Sequence, residues 1–194
     1  MQQLNERIQN EGLNLGRGIL KVDSFLNHQV DPALMLAVGQ TLARQFDDLP
    51  ITKVLTAEIS GITPAVMTAL ELGVPVVYAR KQKPITMPKQ VYRQMAPSHT
   101  KGHNVELLVS PEFLGADDTV LIIDDFLATG NTISALIQIC QQAQATVLGV
   151  GTVIEKRFEG GRERLESIGL RVRSAAIIEK MTASEIILAK DSSS

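Results

Sequence analysis

The chain has 194 residues, of which 44% are hydrophobic and 21% charged, with a formal net charge of −2. That length and apolar content suit one α/β domain with a sizeable core, and the charge argues against a general nucleic-acid binder. A single cysteine, Cys140, excludes an internal disulfide, the start from Met1 to Asn10 is polar, and no apolar run reaches the ~18 residues that span a membrane, so a cytoplasmic protein is expected.

In chain order, Gln2 to Glu11 predicts a short amphipathic helix through Leu4 and Ile8, ended by Gly12. Ile19 to Val22 is a short extended run. Asp23 to Val30 is dense in hydrogen-bonding groups around Phe25 and Leu26. Asp31-Pro32 then supplies an N-cap followed by proline at the first helical position, opening a helix to about Phe46. Residues 1–30 therefore precede the α/β core and read as a small appended lobe, a hood.

Lys53 to Ala57 is a strand, Glu58 to Ile62 a loop, and Thr63-Pro64 opens a helix that stops near Gly73. Pro75 to Ala79 is the next strand. This βαβ unit predicts parallel strands and a right-handed crossover. Its first loop, with Ser60 and Gly61, lies at the C-terminal end of a strand, where open α/β sheets place ligands.

Residues 80–103 begin with the basic run Arg80-Lys81-Gln82-Lys83, contain Pro84, Pro88 and Pro97, and have no apolar periodicity. A flexible lid without secondary structure is expected there. The segment has no Asp or Glu, and His99 and His103 lack metal-ligand spacing. Val105 to Val109 is a further strand, and a turn follows at Gly115 to Asp118.

Val120-Leu121-Ile122-Ile123-Asp124-Asp125-Phe126-Leu127-Ala128-Thr129-Gly130-Asn131-Thr132 is the stretch with chemistry in it. Its apolar run predicts a strand buried on both faces, with Asp124 and Asp125 following at the strand's end. A small polar loop then opens a helix whose apolar face is Ile133, Leu136, Ile137 and Cys140. Cys140 on that face reads as a buried small hydrophobe. Backbone N–H groups of a tight loop at a helix start converge on an anion, and the helix dipole favours one there. Gly130 permits the close approach. Thr129 and Thr132 add hydroxyl donors, while the carboxylates accept hydrogen bonds from sugar hydroxyls. A sugar phosphate satisfies both halves.

A strand from Thr146 to Ile154 ends in Glu155-Lys156, on the same sheet edge. Phe158 lies just beyond, able either to stack on a ring or to join the core. Arg162 to Ile168 is a short helix, Leu170 to Ile178 and Ile186 to Leu188 are late strands, and Asp191 to Ser194 is a polar tail.

The stretch from Val120 to Thr132 resembles the PRPP-binding signature of the type I phosphoribosyltransferases, where PRPP is 5-phosphoribosyl 1-pyrophosphate. The hood from Ile19 to Pro32, Gly61 to Thr68, and Ile154-Glu155-Lys156 are similar to the bacterial members that use xanthine. The resemblance covers essentially the whole chain, 1–194. It implies an α/β fold with a mostly parallel central sheet flanked by helices, and a reaction that moves phosphoribose from PRPP to xanthine in purine salvage. It implies that Ala128, Thr129, Gly130, Asn131 and Thr132 bind PRPP and that Asp124 and Asp125 are catalytic. It further implies that Leu20, Asn27 and Lys156 contact xanthine, and that Ser60, Gly61, Arg80 and Lys81 serve pyrophosphate. Mg²⁺ is expected to come with PRPP, with no direct protein metal site, and a homodimer is expected.

Chemistry alone separates the bases only in part. A lysine ammonium only donates, so Lys156 suits a 6-carbonyl of xanthine, hypoxanthine or guanine better than the amino group of adenine. Asn27 can donate to a 2-carbonyl or accept from a 2-amino group, so guanine or hypoxanthine preference stays open. A PRPP-sensing purine regulator is the non-enzyme alternative, but such proteins carry a DNA-binding domain ahead of the core, and only about 30 residues precede it here. A phosphorylation receiver also has paired acids ending a strand, but its pair should follow the first strand.

Overall fold

The computed structural model describes residues 1–97, 104–182 and 185–189. The hood starts with helix α1, Gln2–Glu11, which turns Leu4 and Ile8 inward. A two-stranded hairpin follows, β1 at Leu13–Asn14 and β2 at Leu20–Lys21, and then a short π-helix at Asp23–Asn27 that buries Phe25 and Leu26. Helix α2 is Pro32–Arg44; the Asp31 side chain accepts from the Leu34 N–H, as an N-cap should.

Strand β3 is Lys53–Ala57, helix α3 is Ile62–Leu72 and strand β4 is Val76–Ala79. An antiparallel pair follows, β5 at Tyr92–Pro97 and β6 at Asn104–Val109. Strand β7 is Thr119–Leu127, helix α4 is Asn131–Gln142 and strand β8 is Thr146–Lys156. Helix α5, Gly161–Glu166, leads to β9 at Arg171–Met181 and β10 at Ile186–Leu188.

The main sheet has six strands in the order β10-β9-β8-β7-β3-β4, parallel throughout except for β10 against β9. Side chains of β7 alternate between the two faces. Leu121 and Ile123 join Leu4, Ile8, Phe25, Met35, Leu42 and Phe46 on one face. Val120 and Ile122 join Leu136, Ile139, Cys140 and Leu165 on the other. The hood is thus built into the first of these two cores. The Met1 ammonium also donates to the Ala175 carbonyl of β9 at 3.1 Å.

Two expectations need correction. Residues 92–97 form a strand rather than part of a structureless lid. Its inward positions are Tyr92, Gln94 and Ala96, so no apolar alternation marks it; the ladder to β6 and two hydrogen bonds between Arg93 and the Gln142 side chain fix it instead. The rest of the expected lid, with His99 and His103, partly lies outside the described residues. Strand β7 also continues through Asp124 and Asp125 to Leu127. Two carboxylates look like a strand end, but β8 is long enough to pair Asp124 with Thr152 and Leu127 with Glu155.

Candidate active site

The sheet opens a crevice by its own topology. Strand β3 stops pairing with β7 at Leu55 opposite Ile122, while β7 runs on against β8. The chain leaves β3 to form α3 over one face of the sheet and leaves β7 to form α4 over the other. Such a switch point separates the following loops and makes a ligand crevice at the strands' carboxyl ends. A cleft of about 1060 Å³ occupies it. Leu20, Asn27, Ser60, Gly61, Lys81, Asp124, Asp125, Lys156 and the loop from Ala128 to Thr132 all line it; Arg80 does not.

The two acids differ. Asp124 is buried and Asp125 half-buried. Asp124 Oδ1 accepts from the Asp125 N–H at 3.0 Å. Burial, and then the adjacent Asp125 carboxylate, push the Asp124 carboxyl well above its ordinary range, and the Lys81 charge only partly offsets this. Asp125 is held at both oxygens: Oδ1 accepts from the Phe126 N–H at 2.9 Å and Oδ2 from Asn27 Nδ2 at 2.8 Å. The hood is therefore bonded directly to the acid pair, a link that sequence spacing of 98 residues did not disclose.

Gly130 adopts φ +77°, which an L side chain resists, and turns the chain into α4. No side chain caps that helix, and its first residues, Asn131 and Thr132, line the cleft. Asn131 does not turn its side chain to the cleft alone: its Oδ1 accepts from Arg164 Nη1 at 3.0 Å.

Across the crevice, a Cβ on Gly61 would overlap Thr56 Oγ1 and lie 2.9 Å from Asp124 Oδ1, so only glycine lets that loop meet the acid. Glu58, in that same loop but not among the expected site residues, receives the Lys81 N–H at 2.5 Å on one oxygen and lies 2.9 Å from Arg80 Nε on the other. The strand register brings them together: Ala57 pairs with Ala79, which sets Glu58 beside Arg80.

On the hood side of the cleft, Leu20 is buried in the hood core while still touching the cleft. Lys156 ends β8, donates to the Gly18 carbonyl at 2.6 Å, lies 3.6 Å from Glu159 and sits 5.3 Å over the Phe126 ring. An ammonium has three donors, so one bond to the hood leaves capacity for a ligand carbonyl. Phe158 is exposed at the same rim.

Among the described residues, no group of three or more His, Cys, Asp or Glu gathers as a metal cage. Mg²⁺ is typically held by one or two carboxylates plus substrate phosphates, and the Asp124–Asp125 oxygens suit that partial donor set.

Residues 29–166 match the phosphoribosyl transferase domain family. A xanthine phosphoribosyltransferase of Levilactobacillus brevis is 48% identical over 98% of this chain and 100% of that protein. One of Oceanobacillus iheyensis is 50% identical over 94% of each chain. Adenine phosphoribosyltransferase of Rhodothermus marinus superposes with a TM-score of 0.71 at 26% identity, over 91% of this chain and 97% of that one. The acid pair, the loop at the start of α4 and these full-length likenesses agree, and the chain belongs to the phosphoribosyltransferase family.

Proposed function

We propose that the protein transfers 5-phosphoribosyl from PRPP to xanthine, releasing pyrophosphate and forming XMP for purine salvage. The observation that carries this reading is the meeting of a phosphate-suited loop, an acid pair and a lysine donor around one cleft.

In the reaction, the bond from the anomeric carbon to pyrophosphate breaks and a bond to a ring nitrogen of the base forms. The base is the nucleophile and sheds its ring proton to solvent, so no side chain needs to attack. The loop from Ala128 to Thr132 would take the 5-phosphate through backbone N–H groups and hydroxyls. Asp124 and Asp125 would accept from the ribose hydroxyls and place negative charge near the oxocarbenium-like ribose. Ser60, Gly61 and Lys81 would meet the pyrophosphate, with Glu58 holding Arg80 and the Lys81 backbone in place. Mg²⁺, arriving with PRPP, would offset pyrophosphate charge. Lys156 would donate to the 6-carbonyl and Asn27 to the 2-carbonyl, with Leu20 against the ring. A charged hydrogen bond is worth ~1.5–3 kcal/mol, or roughly 10- to 150-fold in discrimination against adenine. The same reading makes the protein a cytoplasmic homodimer.

A substrate panel tests this. Purified protein with PRPP and Mg²⁺ is offered xanthine, hypoxanthine, guanine and adenine in turn, and nucleotide and pyrophosphate are followed. Xanthine should be used best and adenine worst. Preference for guanine would overturn the assignment of Asn27. PRPP binding without turnover of any base would replace the enzyme by a regulator.

A further inference from the structure

Helix α5 lies behind the phosphate loop, outside the cleft, and touches it at two points. A Cβ on Gly161 would overlap the Ala128 carbonyl oxygen, lie 2.7 Å from Leu127 Cδ1 and lie 3.0 Å from the Gly130 nitrogen. The two backbones therefore stack with no side chain between them. Gly161 has no left-handed φ, so the demand for glycine here is steric rather than conformational. One turn on, Arg164 Nη1 donates to Asn131 Oδ1 at 3.0 Å.

The helix is itself anchored to the strand that presents Lys156. Arg162 Nε donates to Glu155 Oε1 at 2.8 Å and Nη2 to Glu155 Oε2 at 2.5 Å. Its Nη1 reaches Glu166 at 3.0 Å and the Val172 carbonyl at 3.1 Å. Ser174 completes the set by donating to Glu155 Oε2 at 2.6 Å. A rigid path thus runs from the end of β8, through the Glu155–Arg162 pair and α5, to the loop between β7 and α4.

We propose that α5 is a buttress setting the position of the phosphate loop, with Gly161 and Arg164 as positioning residues for PRPP binding. This rests on reading Ala128 to Thr132 as the phosphate loop. Neither residue lines the cleft, so neither touches substrate. They act through Ala128, Gly130 and Asn131. A loop whose N–H groups must converge on one phosphate loses binding when a methyl group forces its backbone aside, because hydrogen bonds weaken steeply with distance and angle.

The test uses full-length protein, calorimetric titration with PRPP and Mg²⁺, and separate KM values for PRPP and xanthine. Gly161→Ala should weaken PRPP binding by about tenfold or more while xanthine KM changes by less than about twofold, taking tenfold as a displaced loop donor. Arg164→Met, at an exposed position, should weaken PRPP by about two- to tenfold with an unchanged thermal midpoint, and Arg164→Lys should recover part of that loss. Gly115→Ala is the control: a Cβ there meets nothing within 4 Å, and PRPP affinity should stay as in the parent. Parental PRPP affinity in Arg164→Met, or in folded Gly161→Ala, overturns the proposal. So does an equal loss for PRPP and xanthine. Failure of the unsubstituted protein to bind PRPP would instead sink the functional reading, and the unsubstituted arm reveals it separately.

Discussion

Asp124 shows at the scale of one residue how a site is held against the fold's own preference. Its carboxyl is buried beside Asp125, and its affinity for a proton is raised for that reason. The unfolded chain releases this proton in the ordinary carboxylate range, whereas the folded chain keeps it to higher pH. Stability therefore falls as pH rises from that range through the raised value. Asp124→Asn removes the titration without removing the shape. It should raise the unfolding midpoint at pH 7.5 by several degrees, each 1 kcal/mol being worth about 2–4 °C at this size. The gain should vanish near pH 3, where both proteins carry a neutral side chain. Turnover should fall by about 10²-fold or more, the usual cost of losing one preorganised charge. Melting curves across pH with parallel assays check both. An unchanged midpoint at neutral pH would mean that Asp124 is not strained. Cys140 gives a second residue-scale prediction. Burial first, and then the Asp118 charge, push its thiol up to about 12. The native protein should leave an aromatic disulfide reagent unreacted at pH 8, and denaturation should release one equivalent of thiol from its single cysteine.

At the scale of elements, β8 and α5 are joined by Glu155 and Arg162. Burial alone would raise the Glu155 carboxyl, but hydrogen bonds from Arg162 and Ser174, with the Arg162 and Arg157 charges, outweigh it and hold the carboxyl below its usual range. A lowered carboxylate adds stability above its unfolded pKa and loses it as pH falls through the folded one. Glu155→Gln should cost about 3–5 kcal/mol at pH 7.5, since breaking a buried pair strands the partner's charge. The difference should shrink in acid as Glu155 itself is protonated. Urea unfolding at both pH values measures it, and a loss that stays constant with pH would assign the effect to packing.

The whole molecule has two cores on the two faces of one sheet, and the hood belongs to one of them. Leu4 and Ile8 are fully buried in one core with residues of α2, β7 and β9. Leu4→Ala should therefore destabilise the entire protein by about 2–5 kcal/mol. Far- and near-ultraviolet dichroism should fall in one shared transition. An early, separate transition of the hood would show that it folds as an independent unit.

The sequence by itself determined most of the local elements. Apolar runs marked β3, the start of β7 and most of β8, Asp31-Pro32 marked the start of α2, and Ala128 to Thr132 marked the tight loop that opens α4. These signals are short-range: burial on both faces demands continuous apolar residues, and a cap or a tight loop demands particular side chains within a few positions. What the tertiary structure decided depends on partners far along the chain. Strand β5 exists because β6 and Gln142 complete its hydrogen bonds, not because its own residues alternate. Asp124 and Asp125 remain in a strand because β8 extends beside them. Asn27 meets Asp125, Glu58 meets Arg80, and Gly161 meets Ala128 only once the sheet order brings their elements together. Pairing and close approach are properties of two segments at once, and neither segment's composition contains the other's position.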